Sequence, residues 1–308
     1  MNFRLFSTNL LLILFCFNSM GLAQAGSAGV SGAAFLKLGV GARAASMGEA
    51  YTALTNDVTA GFWNPAGLSL LTHTQVAFTH SEWLQDISHE FIGVAFPALH
   101  GTFGVSILAS NIAGIEHRTT ASTEPIGIVE ANDVAASLSY GRSVGNRLNA
   151  GITLKYIYEK IFIESASGYA FDFGLIYQPF EIPLKLGFVV QNFGSMNNLL
   201  NESIELPRTT KLGVAYQIDL PGIDSGFVLA ADAVKLTETD LRANLGLEFQ
   251  LKNYFAFRFG YQSGFDARAI SGGFGLFLKR YHFDYGYVPF NSDLGNTHKF
   301  SFVLDLKK

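Results

Sequence analysis

The sequence predicts an all-β fold: a transmembrane antiparallel β-barrel of about 14 strands with a short, partly helical N-terminal plug. Three observations carry this. From His73 onwards apolar residues recur at a period of two, the opposite faces hold charges and glycines, and the connections alternate between tight turns and long loops. Composition agrees, because 49% hydrophobic and only 15% charged residues, with 28 phenylalanines in 308 positions, is too apolar for an exported soluble protein. The net charge of -4 provides no basic stripe to neutralise phosphates, which excludes nucleic acid as a partner.

In chain order, residues 1–25 read as a secretory signal peptide, with Arg4, an apolar run from Leu10 to Phe17 and the small-x-small cleavage pattern Ala23-Gln24-Ala25. That run is too short to span a bilayer as a helix, which needs about 20 residues. Cys16, the only cysteine, lies inside it, so the mature chain is expected to carry no thiol or disulfide.

Residues 26–72 lack the period of two and are expected to form the plug, with a helix over Ala42 to Leu54. Gly39, Gly41 and Ala44 fall at the spacing of a dinucleotide-binding turn. No alternation of strands and helices follows, so these small residues predict close packing of a plug helix instead.

Residues 73–308 are expected to form the barrel. In Asn149 to Glu159 the residues Ala150, Ile152, Leu154, Tyr156 and Tyr158 share one face opposite Thr153 and Lys155, as alternation along a strand requires. The pattern is equally clear in Gly168 to Gln178, Thr210 to Asp219, Leu241 to Leu251 and the four aromatic-rich segments from Phe255 to Leu306. Weaker instances run from His73 to His80, His89 to Phe96, Thr102 to Ser110, Asn132 to Tyr140, Leu184 to Asn192 and Gly226 to Val234.

A soluble sandwich shows the same alternation, so the connections must discriminate. PALHG, GRSVGN, QPFEIP, DLPGIDS, LKN and KRYH are tight, whereas Asn111 to Ala131, Phe193 to Arg208, Val288 to His298 and Lys160 to Ser167 are long. This is the layout of an outer-membrane barrel with periplasmic turns and outer loops. About fourteen strands enclose a lumen too wide to fill with wall side chains, hence the need for a plug.

The plug contains Phe35-Leu36-Lys37, Gly41-Ala42-Arg43-Ala44, Met47-Gly48-Glu49-Ala50, Asn56-Asp57 and Trp63-Asn64-Pro65-Ala66-Gly67-Leu68. Together these pieces closely resemble the N-terminal signature of the PorV/PorQ family of bacterial outer-membrane proteins, and more distantly the hatch of FadL-type transporters. The first resemblance implies a barrel in the bacterial outer membrane, surrounded by outer-membrane lipid. For members tied to type IX secretion it also implies secreted proteins and secretion-machinery components as partners. The second implies a channel for small hydrophobic molecules.

The motif residues Arg43, Gly48, Asp57, Trp63, Asn64, Pro65 and Gly67 are expected to anchor the plug. Pro65 forces Asn64 out of helical geometry, Asn64 can close an Asx-turn, and Gly67 permits backbone to approach the barrel wall. Arg43, if buried, requires a carboxylate, for which Asp172, Glu248 and Asp284 are lumenal candidates.

Enzyme chemistry finds no support. The histidines are scattered without metal-ligand spacing, and His80, Ser81 and Glu82 are strand neighbours that point apart and cannot form a triad. No catalytic residue, metal or cofactor is assigned.

Overall fold

The structure, a computed structural model, describes residues 31–306 apart from 85, 86, 122, 180, 200, 201, 266, 267 and 292–294. The expected signal peptide, 1–25, lies outside the described residues. Fourteen strands follow: β1 (Thr74–Glu82), β2 (Ile87–Ala98), β3 (Gly101–His117), β4 (Gly127–Val144), β5 (Leu148–Ile161), β6 (Glu164–Tyr177), β7 (Leu184–Met196), β8 (Thr209–Leu220), β9 (Ser225–Leu236), β10 (Arg242–Leu251), β11 (Phe255–Ser263), β12 (Ile270–Leu278), β13 (Tyr281–Pro289) and β14 (Asn296–Leu306). Each pairs antiparallel with its sequence neighbours. β1 also pairs with β14, through Phe78↔Phe302, and the sheet closes into a barrel without an edge.

Alternation decides which face is which. On β11 Phe259 is 65% exposed and points out, while its neighbour Arg258 is 0% exposed and points into the lumen. β5 repeats this, with Ile152, Leu154 and Tyr156 exposed and Thr153 and Lys155 buried. An apolar surface around a polar interior inverts the usual soluble arrangement and matches a protein whose solvent is lipid. No helix among the described residues is long and apolar enough to cross a membrane.

The tight turns lie together at one end of the barrel and the remaining connections at the other, as expected. The latter are shorter than the sequence suggests. β3 and β4 continue to His117 and from Gly127, so the predicted loop Asn111 to Ala131 contracts to residues 118–126. Lys160 to Ser167 contracts to a turn at Phe162 and Ile163, and Val288 to His298 to residues 290–295. Within Phe193 to Arg208, β7 continues to Met196 and leaves residues 197–208 as the connection. The ladder continues beyond the apolar belt, where solvent meets both faces and no hydrophobic alternation marks the strand.

Residues 33–72 fill the lumen. Ala33, Phe35, Val40, Met47, Tyr51, Trp63 and Leu68 are all buried there. The expected helix Ala42 to Leu54 ends at Ser46. Gly48 (φ 62°) and Glu49 (φ 59°) adopt the left-handed conformation that terminates helices, and this turn seats Gly48 directly against β10 and β11.

Where plug backbone approaches the wall most closely, several of the wall residues are glycine. A Cβ added at Gly174 would lie 2.0 Å from Asn64 Oδ1, at Gly151 2.3 Å from Pro65 C, and at Gly187 2.6 Å from Thr52 O. Around the circumference, the same atom at Gly246 would lie 2.6 Å from Met47 O, at Gly260 1.9 Å from Gly48 N, and at Gly286 2.8 Å from Ala42 O. Register places Gly151 beside Gly174 and Gly246 beside Gly260, so the contacts form a glycine girdle around the plug.

Candidate plug latch and mouth cavity

Arg43 stands on the short helix Ala42–Ser46 and finds its carboxylate in Glu248 of β10. Its Nε and Nη2 each donate to Glu248 across 2.9 Å, a bidentate fork, and Nη1 donates to Asn56 Oδ1 at 3.0 Å. Glu248 also accepts from Arg258 Nε at 2.6 Å, and Arg258 Nη1 donates to Asp284 at 2.6 Å. Of the three expected carboxylates, Glu248 is therefore the direct partner and Asp284 ends the same chain. Asp172 instead pairs with Lys155 at 2.7 Å. Burial pushes the Arg43 guanidinium down, but Glu248 outweighs it and holds the group above its ordinary value.

Asp57 organises the plug internally. It accepts from the Tyr51 hydroxyl at 2.6 Å and from the Thr59 amide at 2.8 Å, fixing the turn before the helix Ala60–Trp63. Burial raises the Tyr51 hydroxyl well above its ordinary value, so it remains a donor. Asn64 closes the expected Asx-turn, its Oδ1 accepting from Ala66 N at 3.2 Å, and Pro65 begins the following turn Pro65–Leu70. Its Nδ2 donates to Thr52 O at 2.8 Å and reaches Leu175 O of β6 at 3.2 Å, tying plug to wall. Gly48 meets the wall, whereas Gly67 lies against Thr55 O of the plug itself, where a Cβ would fall at 2.5 Å. The wall contact expected of Gly67 thus belongs to other glycines.

A second tether was not visible in the sequence. Glu238, just beyond β9, accepts from Lys37 Nζ at 2.5 Å and from Ser31 N and Oγ at 2.8 and 2.7 Å. Burial pushes its carboxyl up, but these donors prevail and hold it below the usual carboxylate range.

Between the plug and the loop-bearing end lies a cavity of about 420 Å³. Leu36, Trp63, Trp83, Leu236, Phe265 and Phe290 form much of its apolar lining, with Glu49, Lys211 and Arg268 among the charged residues. Trp63 is fixed by its Nε1 donating to Val40 O at 2.8 Å, and the Lys211 ammonium lies 4.6 Å from the centre of its ring. Arg268 lies 4.6 Å from the ring centre of Phe265 and 5.5 Å from that of Trp83. These groups come from the plug, β8, the end of β9 and separate connections at the loop-bearing end. Closure of the barrel assembles them, and no local motif announces them.

Residues 23–281 match the model of a single protein family. The chain belongs to the uncharacterised protein family UPF0164. No curated protein sequence matches this UPF0164 chain. Among solved structures, it resembles the CymD monoaromatic hydrocarbon channel, with TM-score 0.65 and 12% identity, covering 88% of this chain and 98% of that one. It also resembles the Pseudomonas putida toluene transporter TodX, with TM-score 0.61 and 11% identity, covering 87% and 97% of the two chains. At such identities the likeness shows a shared fold.

Proposed function

We propose that this protein is a non-enzymatic channel of the bacterial outer membrane that admits small hydrophobic molecules through its plugged barrel. Residues 26–72 serve as the plug and 73–308 as the barrel, its tight turns in the periplasm and its loops outside. The observation that carries the reading is the aromatic-lined cavity between the plug and the loop-bearing mouth. Its volume lies within the roughly 300–1,000 Å³ usual for small-ligand sites. The shared barrel of two proteins named for monoaromatic hydrocarbons and toluene, together with the FadL-type hatch motif, supports the same class of solute.

A PorV/PorQ-like role in protein secretion or surface delivery is the second reading. It draws on the closer motif resemblance and on Ile126, Ile128 and Ile163, exposed at the loop-bearing rim, where a secreted protein or secretion component could dock. Uptake separates the two. Cells producing the chain in their outer membrane should accumulate labelled toluene faster than cells with the empty vector. Unchanged uptake, with a stoichiometric protein partner recovered on gentle purification, would replace the channel with the delivery role.

A further inference from the structure

We infer that the mouth cavity is a binding site for small aromatic carboxylates, an inference that rests on the channel reading and narrows its solute class. Beside its aromatic surface the lining carries charge that a neutral hydrocarbon cannot use. Glu49 is the only carboxylate lining the cavity among the described residues, against Lys37, Lys211, Arg242 and Arg268. Lys37 is already satisfied by Glu238, and Arg242 is partnered too, its guanidinium lying 4.0 Å from the ring centre of Phe265.

Lys211 differs. Its ammonium lies over Trp63 and has no hydrogen-bond acceptor or carboxylate within bonding distance among the described residues. Arg268 approaches one carboxylate oxygen, Glu49 Oε1, at 3.6 Å, beyond a normal hydrogen bond. A neutral ligand that displaced water from this cavity would leave Lys211 without a hydrogen-bond acceptor among the described residues and Arg268 with only its long ion pair to Glu49. A ligand carboxylate supplies the missing charge and acceptor atoms.

Aromatic surface and volume define the rest of the ligand. A cationic solute gains little here, because Lys211 and Arg268 already lie over the rings it would seek, including Phe290 at 6.0 Å. A ring carrying one carboxylate can place its face against Leu36, Leu236 and the exposed ring edges while its charged end approaches Lys211 and Arg268. The cavity of about 420 Å³ has room for such a molecule.

The chain provides its own reporter. Its 2 tryptophans, Trp63 and Trp83, both line the cavity, so intrinsic fluorescence reads occupancy directly. The full-length barrel in detergent should be titrated with benzoate and with toluene, its uncharged counterpart, under excitation at the red edge of tryptophan absorption. Benzoate should produce a saturable change, bind at least about tenfold more tightly than toluene, and weaken as salt rises. Lys211→Met and Arg268→Gln should each weaken benzoate about tenfold, whereas toluene, which cannot use either cation, should bind no more weakly than to wild type. Heat-dependent gel migration checks folding, and if Arg268→Gln fails that check, Lys211→Met and the salt series decide. Saturable toluene binding as tight as that of benzoate, unaffected by Lys211→Met, would overturn the carboxylate site and leave the channel reading standing. No response to either ligand from folded protein would overturn the site, and the toluene uptake assay then judges the channel separately.

Discussion

Cutting the latch between plug and wall tests whether the buried charges act as one unit. Arg43, Glu248, Arg258 and Asp284 form a neutral chain of alternating sign. Arg43→Met leaves Glu248 and Asp284 sharing one guanidinium, and Glu248→Met leaves two guanidinia with one carboxylate. Removing one partner of a buried pair costs about 3–5 kcal/mol. The Arg43 side chain remains 21% exposed and Glu248 keeps Arg258, so the lower end applies, about 3 kcal/mol for Arg43→Met. That corresponds to roughly a hundredfold faster hydrogen exchange for plug amides that exchange by local opening. The double variant restores neutrality, because Arg258 and Asp284 remain a complete pair at 2.6 Å. Its cost should therefore fall below the sum of the single costs by at least about 1 kcal/mol, within the range seen for coupled neighbours. Hydrogen exchange followed over residues 42–57 in detergent, for wild type, both singles and the double, measures this cycle. Strict additivity, or an Arg43→Met plug as protected as wild type, would refute the latch.

Gly174→Ala should lower the thermal midpoint of heat-dependent gel migration by several degrees or prevent assembly, since its Cβ would lie 2.0 Å from Asn64 Oδ1, whereas Gly127→Ala meets nothing within 4 Å and should behave as wild type. Thr123→Cys, exposed at the loop-bearing end, should react with an impermeant thiol reagent on intact cells, and Asn146→Cys, exposed at the turn end, only after the outer membrane is opened; the reverse pattern would invert the topology. Glu238 has a lowered carboxyl pKa, so its tether to Lys37 and Ser31 contributes stability above the ordinary carboxylate range and loses it as pH falls through the lowered value. Proteolysis within residues 31–38 should accordingly accelerate in acid for wild type, while Glu238→Gln should be cleaved quickly at neutral pH and change little with further acidification.

Much of the barrel was legible because lipid imposes a simple code. Alternation such as Phe257, Arg258, Phe259 has only one inexpensive reading once the charged member must avoid hydrocarbon. The code stops at the membrane surface, which is why the upper parts of β3 and β4 resembled a loop. The plug helix was overextended because Ala42 to Leu54 contains good helix formers, and the seat for Gly48 between β10 and β11 is set by residues about two hundred positions away. The same distance hid parts of the functional region. Arg43 demanded a carboxylate, and strand alternation offered three lumenal candidates, but the folded barrel selected Glu248. Trp83, Lys211, Phe265, Arg268 and Phe290 meet only after closure, and nothing in their flanking residues marks them as neighbours.

The glycine girdle also constrains the order in which the molecule is made. Wall backbone and plug backbone interlock around much of the circumference, with gaps too narrow for a methyl group. A finished cylinder offers no clearance through which such a disc could be threaded. The strands must therefore wrap around a segment already lying between them, and joining β1 to β14 locks it in place. The plug precedes the first strand in the chain and emerges first, so it can act as the mandrel on which the cylinder is wound. Its sequence then fixes the circumference as well as filling the bore, and a variant with a defective plug should accumulate as an unclosed sheet rather than as an empty pore.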